Sequence, residues 1–576
     1  MKIKKIDIEN FRKFKNISFN LGKRITVISG INGIGKSSIL ALMASTVGVK
    51  NKRLNGKVFQ PKFTDSFTIS SQENFSDYQL FITFDKKYNI GINEYELTKR
   101  VRFKNDSNSN RGIRPIPLTV PTTSSGLTQA EIQREVHSSE GRIHIPTIYL
   151  SLSRLLPLGE TRIRSSEIKS QKISRNDIIN FFSKCYNSVL SGSIDRNDSK
   201  LNIITKDAGK YTRDYASIDI RNTTNETLSV GQDNLNSIVS ALTDFWFIKQ
   251  SMGVNYPGGI LCIDEVDASL HPSAVYNLFN LLKNAAEDLD LQIIVTSHSL
   301  TVLKEIISLE LKDSTNYKLI YFEDSDRPRL SRNSNSFEYL KADMFDNTNY
   351  KRPQIKVYCE DKAGALLFKL LFAAYKEYYR SDLNLVDFNI IPMKMGGVQL
   401  KSLETKDTYF QGVLIVPDGD ARTKEKYDGN KALKMDIEEY NEGKMTLQKS
   451  LRDNVVFLPT FYSPEVLMYK LFQEYLNNTT IHNEFWTKFQ TTAELGLWTF
   501  PRIKKQLYFD DYDVKYDSIH ENSGWLKEIY DMMKKSDFFN DYCNNGEYKN
   551  YIQEYFKYLD KGIKAVNKTQ KSKLFS

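Results

Sequence analysis

An eight-residue loop, Gly30-Ile-Asn-Gly-Ile-Gly-Lys-Ser37, constrains this chain more than any other stretch of it. The loop fits G-x-x-x-x-G-K-[ST], between strand-like residues 24–29 and the helix-like SSILALMAS. Glycines let successive backbone N–H groups turn inward around an anion, and the helix that follows adds positive potential at its N-terminus. Asn32, Gly33, Ile34, Gly35, Lys36, Ser37 and Ser38 are therefore candidate nucleotide-binding residues. Lys36 would reach the outer phosphates of ATP, and the Ser37 hydroxyl would complete a Mg²⁺ shell.

A second apolar run, Ile260-Leu-Cys-Ile, ends in Asp264 and Glu265. A buried strand does not end in adjacent carboxylates for stability, because desolvated charges need a partner. Asp264 is a candidate Mg²⁺ ligand, and Glu265 a candidate to polarise an attacking water. Leu228-Ser-Val-Gly-Gln232 resembles the ABC signature, with Val230 where glycine is commonest. Its Ser229, Gly231 and Gln232 would meet ATP held by an opposite subunit. Ile293-Ile-Val-Thr-Ser-His298 puts a histidine just past another buried strand.

The order P-loop, signature, Asp-Glu, Ala268-Ser-Leu-His271 and His298 resembles that of the ABC ATPases over residues 1–325. The opening IENFRKFKNISFNL and EVDASLHP are similar to the soluble SMC/RecF-like branch, without a long heptad coiled coil. That resemblance implies head-to-head dimers closing on two ATP molecules, with Glu265 and His298 in catalytic roles. The glutamine of the Q-loop is Gln60 or Gln72. Arg154, in YLSLSR, lies near the nucleotide or the interface, or is a plain surface arginine.

After a polar, charged piece at 324–353, taken as the domain junction, the alternation of strands and helices restarts. Strands are predicted at 355–359, 388–393, 413–416 and 455–458, with a helix at 363–379, as in a smaller α/β domain with a parallel sheet. Acids follow three of these strands: Glu360 and Asp361, Asp418-Gly-Asp420, and Glu465. Carboxylates gathered at the carboxyl ends of parallel strands share one crevice. They repel one another unless a divalent cation such as Mg²⁺ or Mn²⁺ sits among them.

A Glu after the first strand, Asp-x-Asp after a later one and Gly396-Gly397 between them resemble the Toprim fold, with Asp361 where that fold usually has glycine. An ABC-type ATPase fused to a Toprim domain is the arrangement of the OLD (overcoming lysogenization defect) nucleases, and is similar to the large subunit of Gabija-type antiphage systems. The resemblance implies a homo-oligomer, built through its ATPase domains, that cuts nucleic acid under nucleotide control. Glu360, Asp418, Asp420 and Glu465 would bind metal, the first three in catalytic roles. DNA is favoured over tRNA as substrate, and a separately encoded partner subunit remains open. The alternatives are a non-nucleolytic repair or clamp-type ATPase, and a sensor ATPase with a separate effector.

The expected organisation is an ATPase domain at 1–340 with a polar insertion at 105–141, a Toprim-like domain at 353–475 and a helical extension at 476–576. A chain of 576 residues with a net charge of +10 suits several domains and a polyanionic partner. The four scattered cysteines form no C-x-x-C pair and suit a reducing cytoplasm. No apolar stretch is long enough to span a bilayer, so no membrane partner is expected.

Overall fold

The apolar–polar alternation of the first twenty residues builds an antiparallel hairpin, β1 (Ile3–Phe11) with β2 (Phe14–Asn20). Ile6 and Ile8 face the core opposite Phe19 and Ile17, and Arg12, with φ of 53°, makes the turn. β3 (Ile25–Gly30) is buried at every position and feeds the glycine loop and α1 (Lys36–Ser45). The computed structural model describes residues 1–576 except 64–67, 71, 91–92, 107–111, 121–140, 156–161, 168–173, 196–199, 208–211, 222, 224–226, 350–353, 380–386, 423–451, 461, 508–522 and 576. The chain divides into two units, Met1–Tyr350 and Lys351–Ser576.

In the first unit β4 (Gln79–Ile90), β5 (Asn93–Asn105) and β6 (Ile113–Val120) extend the hairpin into an antiparallel sheet of order β2-β1-β4-β5-β6. β6 lies inside the stretch 105–141 expected as a polar insertion; its two prolines sit on the sheet's edge strand, where a missing N–H costs no ladder bond. Residues 107–111 and 121–140 of that insertion lie outside the described residues. Next come β7 (Thr147–Leu150), β8 (Arg162–Glu167), α2 (Arg175–Val189), β9 (Leu201–Asp207), β10 (Thr212–Ile218) and α3 (Val230–Met252). β11 (Gly259–Ile263), α4 (Pro272–Asp288), β12 (Leu291–Thr296), α5 (Leu300–Lys312) and β13 (Tyr317–Glu323) follow.

Strands β11, β12, β3 and β13 lie side by side and parallel, with β7 parallel on one edge, and buried on both faces they read as continuous apolar runs. The order is β14-β13-β3-β12-β11-β7, with β14 (Arg329–Leu330) antiparallel at the other edge. β14 and α6 (Phe337–Met344) occupy the polar piece 324–353 that the sequence reads as a junction. Ile6, Ile8 and Ile82 of the antiparallel sheet share one core with Ile39, Leu40 and Met43 of α1 and Ile260 and Ile294 of the parallel sheet. β8, β9 and β10 form a separate antiparallel sheet.

The second unit holds β15 (Gln354–Cys359), α7 (Lys362–Tyr379), β16 (Asp387–Pro392), α8 (Gly397–Lys406) and β17 (Leu414–Val416), and the strands pair in parallel in the order β16-β15-β17. The fourth expected strand, 455–458, is reduced to one bridge, Ile415 to Val455. Ile415 N–H donates to Asn454 O, Val456 N–H to Ile415 O and Leu458 N–H to Pro417 O, as in a parallel ladder. Pro417 has no N–H with which to answer, and the ladder breaks there. Helices α9 (Pro464–Asn477), α10 (Asn483–Thr491), α11 (Phe500–Gln506), α12 (Ser523–Lys535), α13 (Phe538–Asn545) and α14 (Lys549–Phe575) complete the unit. Trp525, Phe538, Tyr542, Phe556 and Ile563 join Val357, Phe368 and Phe472 in a single core, so the helices expected as an extension are packed into the domain itself.

All four cysteines are buried and free. Among the described residues no helix is long and apolar enough to cross a membrane.

Candidate functional site

β3 delivers the glycine loop to the carboxyl edge of the parallel sheet. Gly33 and Gly35 adopt φ of 76° and 104°, the left-handed region that glycine tolerates without strain. Lys36 folds back over the loop, its ammonium donating to Gly30 O at 2.9 Å and Ile31 O at 3.0 Å. Burial pulls its pKa down to about 8, against the raising pull of Glu265 and Asp264. Asn32 and Gly33 are exposed, whereas Ile34 and Ser38 are buried and tie the loop to the core.

Ser37 Oγ donates to Asp264 Oδ1 at 2.9 Å across from the next strand but one. Thr296 Oγ1, at the end of β12 between them, donates to the same oxygen at 2.7 Å and accepts the Glu265 N–H at 2.7 Å. Glu265 is half-buried with φ of 48°, a conformation costing on the order of 1–3 kcal/mol for a residue other than glycine. Burial, then Asp264 and Asp267, raise its pKa. His298 is half-buried and held toward the neutral imidazole by burial and by Lys36. The structure thus gathers Lys36, Ser37, Asp264, Glu265 and His298 at one edge of the sheet. Thr296 was missed in the sequence, though it stands inside the quoted IIVTSH run.

Ser229 is exposed at the N-cap of α3, where it forms a reciprocal capping box with Gln232. Gly231 lies so close to the turn after Glu265 that an added Cβ would meet Ser269 O at 2.4 Å. Arg154 is not a surface arginine: it is 2% exposed and bonded to Glu265 O and Asn234 Oδ1. Of the two Q-loop candidates, Gln60 packs on Gly48 and Gln72 is exposed.

In the second unit Glu360 ends β15 and Asp418 follows β17, two neighbouring parallel strands. Asp418 N–H donates to Glu360 Oε1 at 2.9 Å. Asp418 is 7% exposed, and its Oδ1 is buried without a hydrogen-bond partner. Its carboxyl is pushed well up by burial, then by Glu360, Asp361, Asp420 and Glu465. Glu360 is raised to about 7 by burial, against the Asp418 N–H, and Asp420 is also raised by burial. Gly364 and Gly397 leave room for this group: a Cβ on either would lie within 2.4 Å of Asp418 Oδ1 or Glu360 Oε1. Glu465 is buried in the first turn of α9. Asp361 is drawn off to cap α7 through the Gly364 N–H at 2.9 Å. As the side chains stand, no three acids, histidines or cysteines among the described residues converge closely enough to enclose a metal ion. An orphaned carboxylate oxygen amid like charges nonetheless fits a divalent cation, because oxygen-only donors and excess negative charge are what such an ion relieves.

The fold of the first unit and the edge at which its motifs meet are those of an ABC/SMC-type P-loop ATPase head. Residues 2–315 match the RecF/RecN/SMC N terminal domain, and the chain belongs to that family. It is similar to the Septu protein PtuA of Bacillus mycoides, 26% identical over 318 residues that cover 54% of this chain and 40% of that protein. A shorter match, 42% identical over 59 residues, joins it to the DNA double-strand break repair Rad50 ATPase of Methanosarcina mazei, covering 10% of this chain and 5% of that one. The chain therefore spans less than half the length of either relative. Among solved structures, the SMC head domain from Thermotoga maritima is 14% identical with a TM-score of 0.31, over 57% of this chain and 98% of that one. An SmcHead bound to the C-winged helix domain of ScpA is 16% identical with a TM-score of 0.33, over 57% and 98%.

Proposed function

We propose that this chain hydrolyses ATP in a site shared by two copies, and that its second unit is a Toprim-like, OLD-type endonuclease under nucleotide control. The observation that carries the nuclease reading is the buried, unpartnered Asp418 Oδ1 among Glu360, Asp420 and Glu465. In the ATPase unit Lys36 and the N–H groups of residues 33–38 take the phosphates, with Asn32 at the loop's open side. Ser37 and Asp264 hold Mg²⁺, Glu265 orients the attacking water and His298 meets the γ-phosphate. Ser229, Gly231 and Gln232 face the nucleotide of the second copy.

Glu360, Asp418, Asp420 and Glu465 would hold Mg²⁺ or Mn²⁺, which would supply charge stabilisation for phosphodiester cleavage. DNA is the substrate in preference to tRNA, and the setting is antiphage defence in the bacterial cytoplasm. A second reading has a basis in the same residues: because no three acids among the described residues converge closely enough to enclose a metal ion, the second unit would only bind nucleic acid, or serve a separately encoded partner.

Paired assays separate the two readings. Plasmid and tRNA cleavage and phosphate release are measured for wild type, Asp418→Ala/Asp420→Ala and Glu265→Gln, each with a thermal melt. The double alanine variant should lose cleavage by orders of magnitude and keep ATP hydrolysis. Glu265→Gln should bind ATP and hydrolyse it far more slowly. Wild-type protein that cuts neither substrate across metals and nucleotides would leave the second reading standing.

A further inference from the structure

The turn that carries Glu265 is gripped from outside the nucleotide motifs. Arg154 follows β7, at the far edge of the parallel sheet. Its Nη2 donates to Glu265 O at 2.7 Å, its Nε to Asn234 Oδ1 at 2.7 Å and its Nη1 to Ser151 O at 3.0 Å. Asn234 is fully buried on α3, five residues beyond Ser229, and its Nδ2 donates to Ala268 O at 2.7 Å. Gly231 closes onto Ser269 O from the same helix. The opening turns of α3 therefore rest on residues 265–269 through one close backbone approach, one amide and one guanidinium fork. Each of its three nitrogens is bonded to a backbone carbonyl or to an amide oxygen, so the side chain is held by protein acceptors on both sides of the turn. Its planar fork, unlike an ammonium, reaches acceptors on two different elements at once.

We infer that Arg154 is a positioning residue that ties α3 to the peptide of Glu265, so that the place Ser229 takes on nucleotide sets the aim of the Glu265 carboxylate. The inference rests on the shared site proposed above and deepens it. Ser229 of each copy reads the ATP held by the other, while Arg154 and Asn234 pass that position to the Glu265 of their own chain. Each copy's hydrolysis is thus conditional on its neighbour's nucleotide, through a contiguous chain of packed and bonded groups. Two ATP sites joined in this way turn over cooperatively.

Arg154→Lys keeps the charge and loses the fork, and Asn234→Ala removes the middle link. The expected result for either is a kcat reduced about 10–100-fold, the scale for lost supporting contacts. ATP affinity in the full-length protein should stay within about 2-fold of wild type, since no ground-state contact is removed. The Hill coefficient for ATP should fall to about 1, and the double variant should cost no more than the worse single one, as residues acting in one chain do. Should Asn234→Ala fail to fold, Asn234→Asp keeps the acceptor facing Arg154, and its kcat should exceed that of Arg154→Lys; the reverse order overturns the tie. Parallel loss of kcat, affinity and melting temperature, with additive effects in the double variant, would make Arg154 a structural residue and overturn the inference. ATP-dependent dimerisation is measured alongside on Glu265→Gln. A monomer would overturn the shared site and the coupling with it. A dimer combined with wild-type kcat in Arg154→Lys would overturn the coupling alone.

Discussion

Glu360 ordinarily titrates at 4.5, and burial, opposed by the Asp418 N–H, leaves it near 7. Between those values the folded chain holds a proton that the unfolded chain has released. Stability therefore falls as pH rises from about 4.5 to about 7, the sign for an acid whose folded pKa is raised. Asp418 moves in the same direction. In EDTA, wild type should lose melting temperature relative to Glu360→Gln between pH 5 and pH 8, by about 2–4 °C per kcal/mol for a unit of this size. Adding Mg²⁺ at pH 8 should return most of the loss to wild type and little to the variant. A difference that stays constant with pH would dissociate Glu360 from the strained acid group. Glu360 and Asp418 were legible in the sequence because an acid at the end of an apolar run is a local anomaly. Arg154 was singled out only as one of two alternatives, and its partner was not legible, because the carbonyl it holds lies 111 residues away and its sequence surroundings give no sign of burial.

Helix α3 shows what a single element needs in order to stand where it does. Its first-turn Asp233 is 1% exposed and is met by the ammonium of Lys206 from β9 and the Tyr215 hydroxyl from β10, the latter at 2.7 Å. A helix start buried against a sheet with a carboxylate inside it is stable only while both partners are present. Lys206→Met leaves an uncompensated buried charge and should destabilise the first unit by about 3–5 kcal/mol. Lys206→Met/Asp233→Asn should recover part of that, both measured as denaturation midpoints. A Lys206→Met midpoint equal to wild type would show the pair to be inert. The buried parallel strands were readable because apolar run length reports them directly. β6 was masked by polar and proline-rich neighbours, and an edge strand needs no pattern to hold it beyond one partner. The run 455–458 has strand composition but lacks the answering N–H of Pro417, a defect on the neighbouring strand that its own residues cannot disclose.

Across the whole molecule the two units carry separate cores, one around α1 and the parallel sheet, the other around α7, α9 and the C-terminal helices. Calorimetry of the full chain should therefore resolve two transitions. ATP at about 100 times its Kd should raise one of them by about 2.7 kcal/mol, and Mn²⁺ without nucleotide should raise the other. One transition shifted by both ligands would mean that the cores melt as one. The division between units was visible as a polar break, but how the last hundred residues pack was not, because amphipathic helices rich in Tyr and Phe do not declare which core they fill. The position of β3 also bears on how the chain is made. It is wholly buried, and the strands on its two sides, Leu291–Thr296 and Tyr317–Glu323, lie more than 250 residues downstream. On a translating ribosome it emerges early and waits about 10–60 s for those neighbours, at ordinary elongation rates. Through that interval the apolar segment lacks both of its β-partners, and its phosphate loop has no sheet to stand on until the first unit is almost complete.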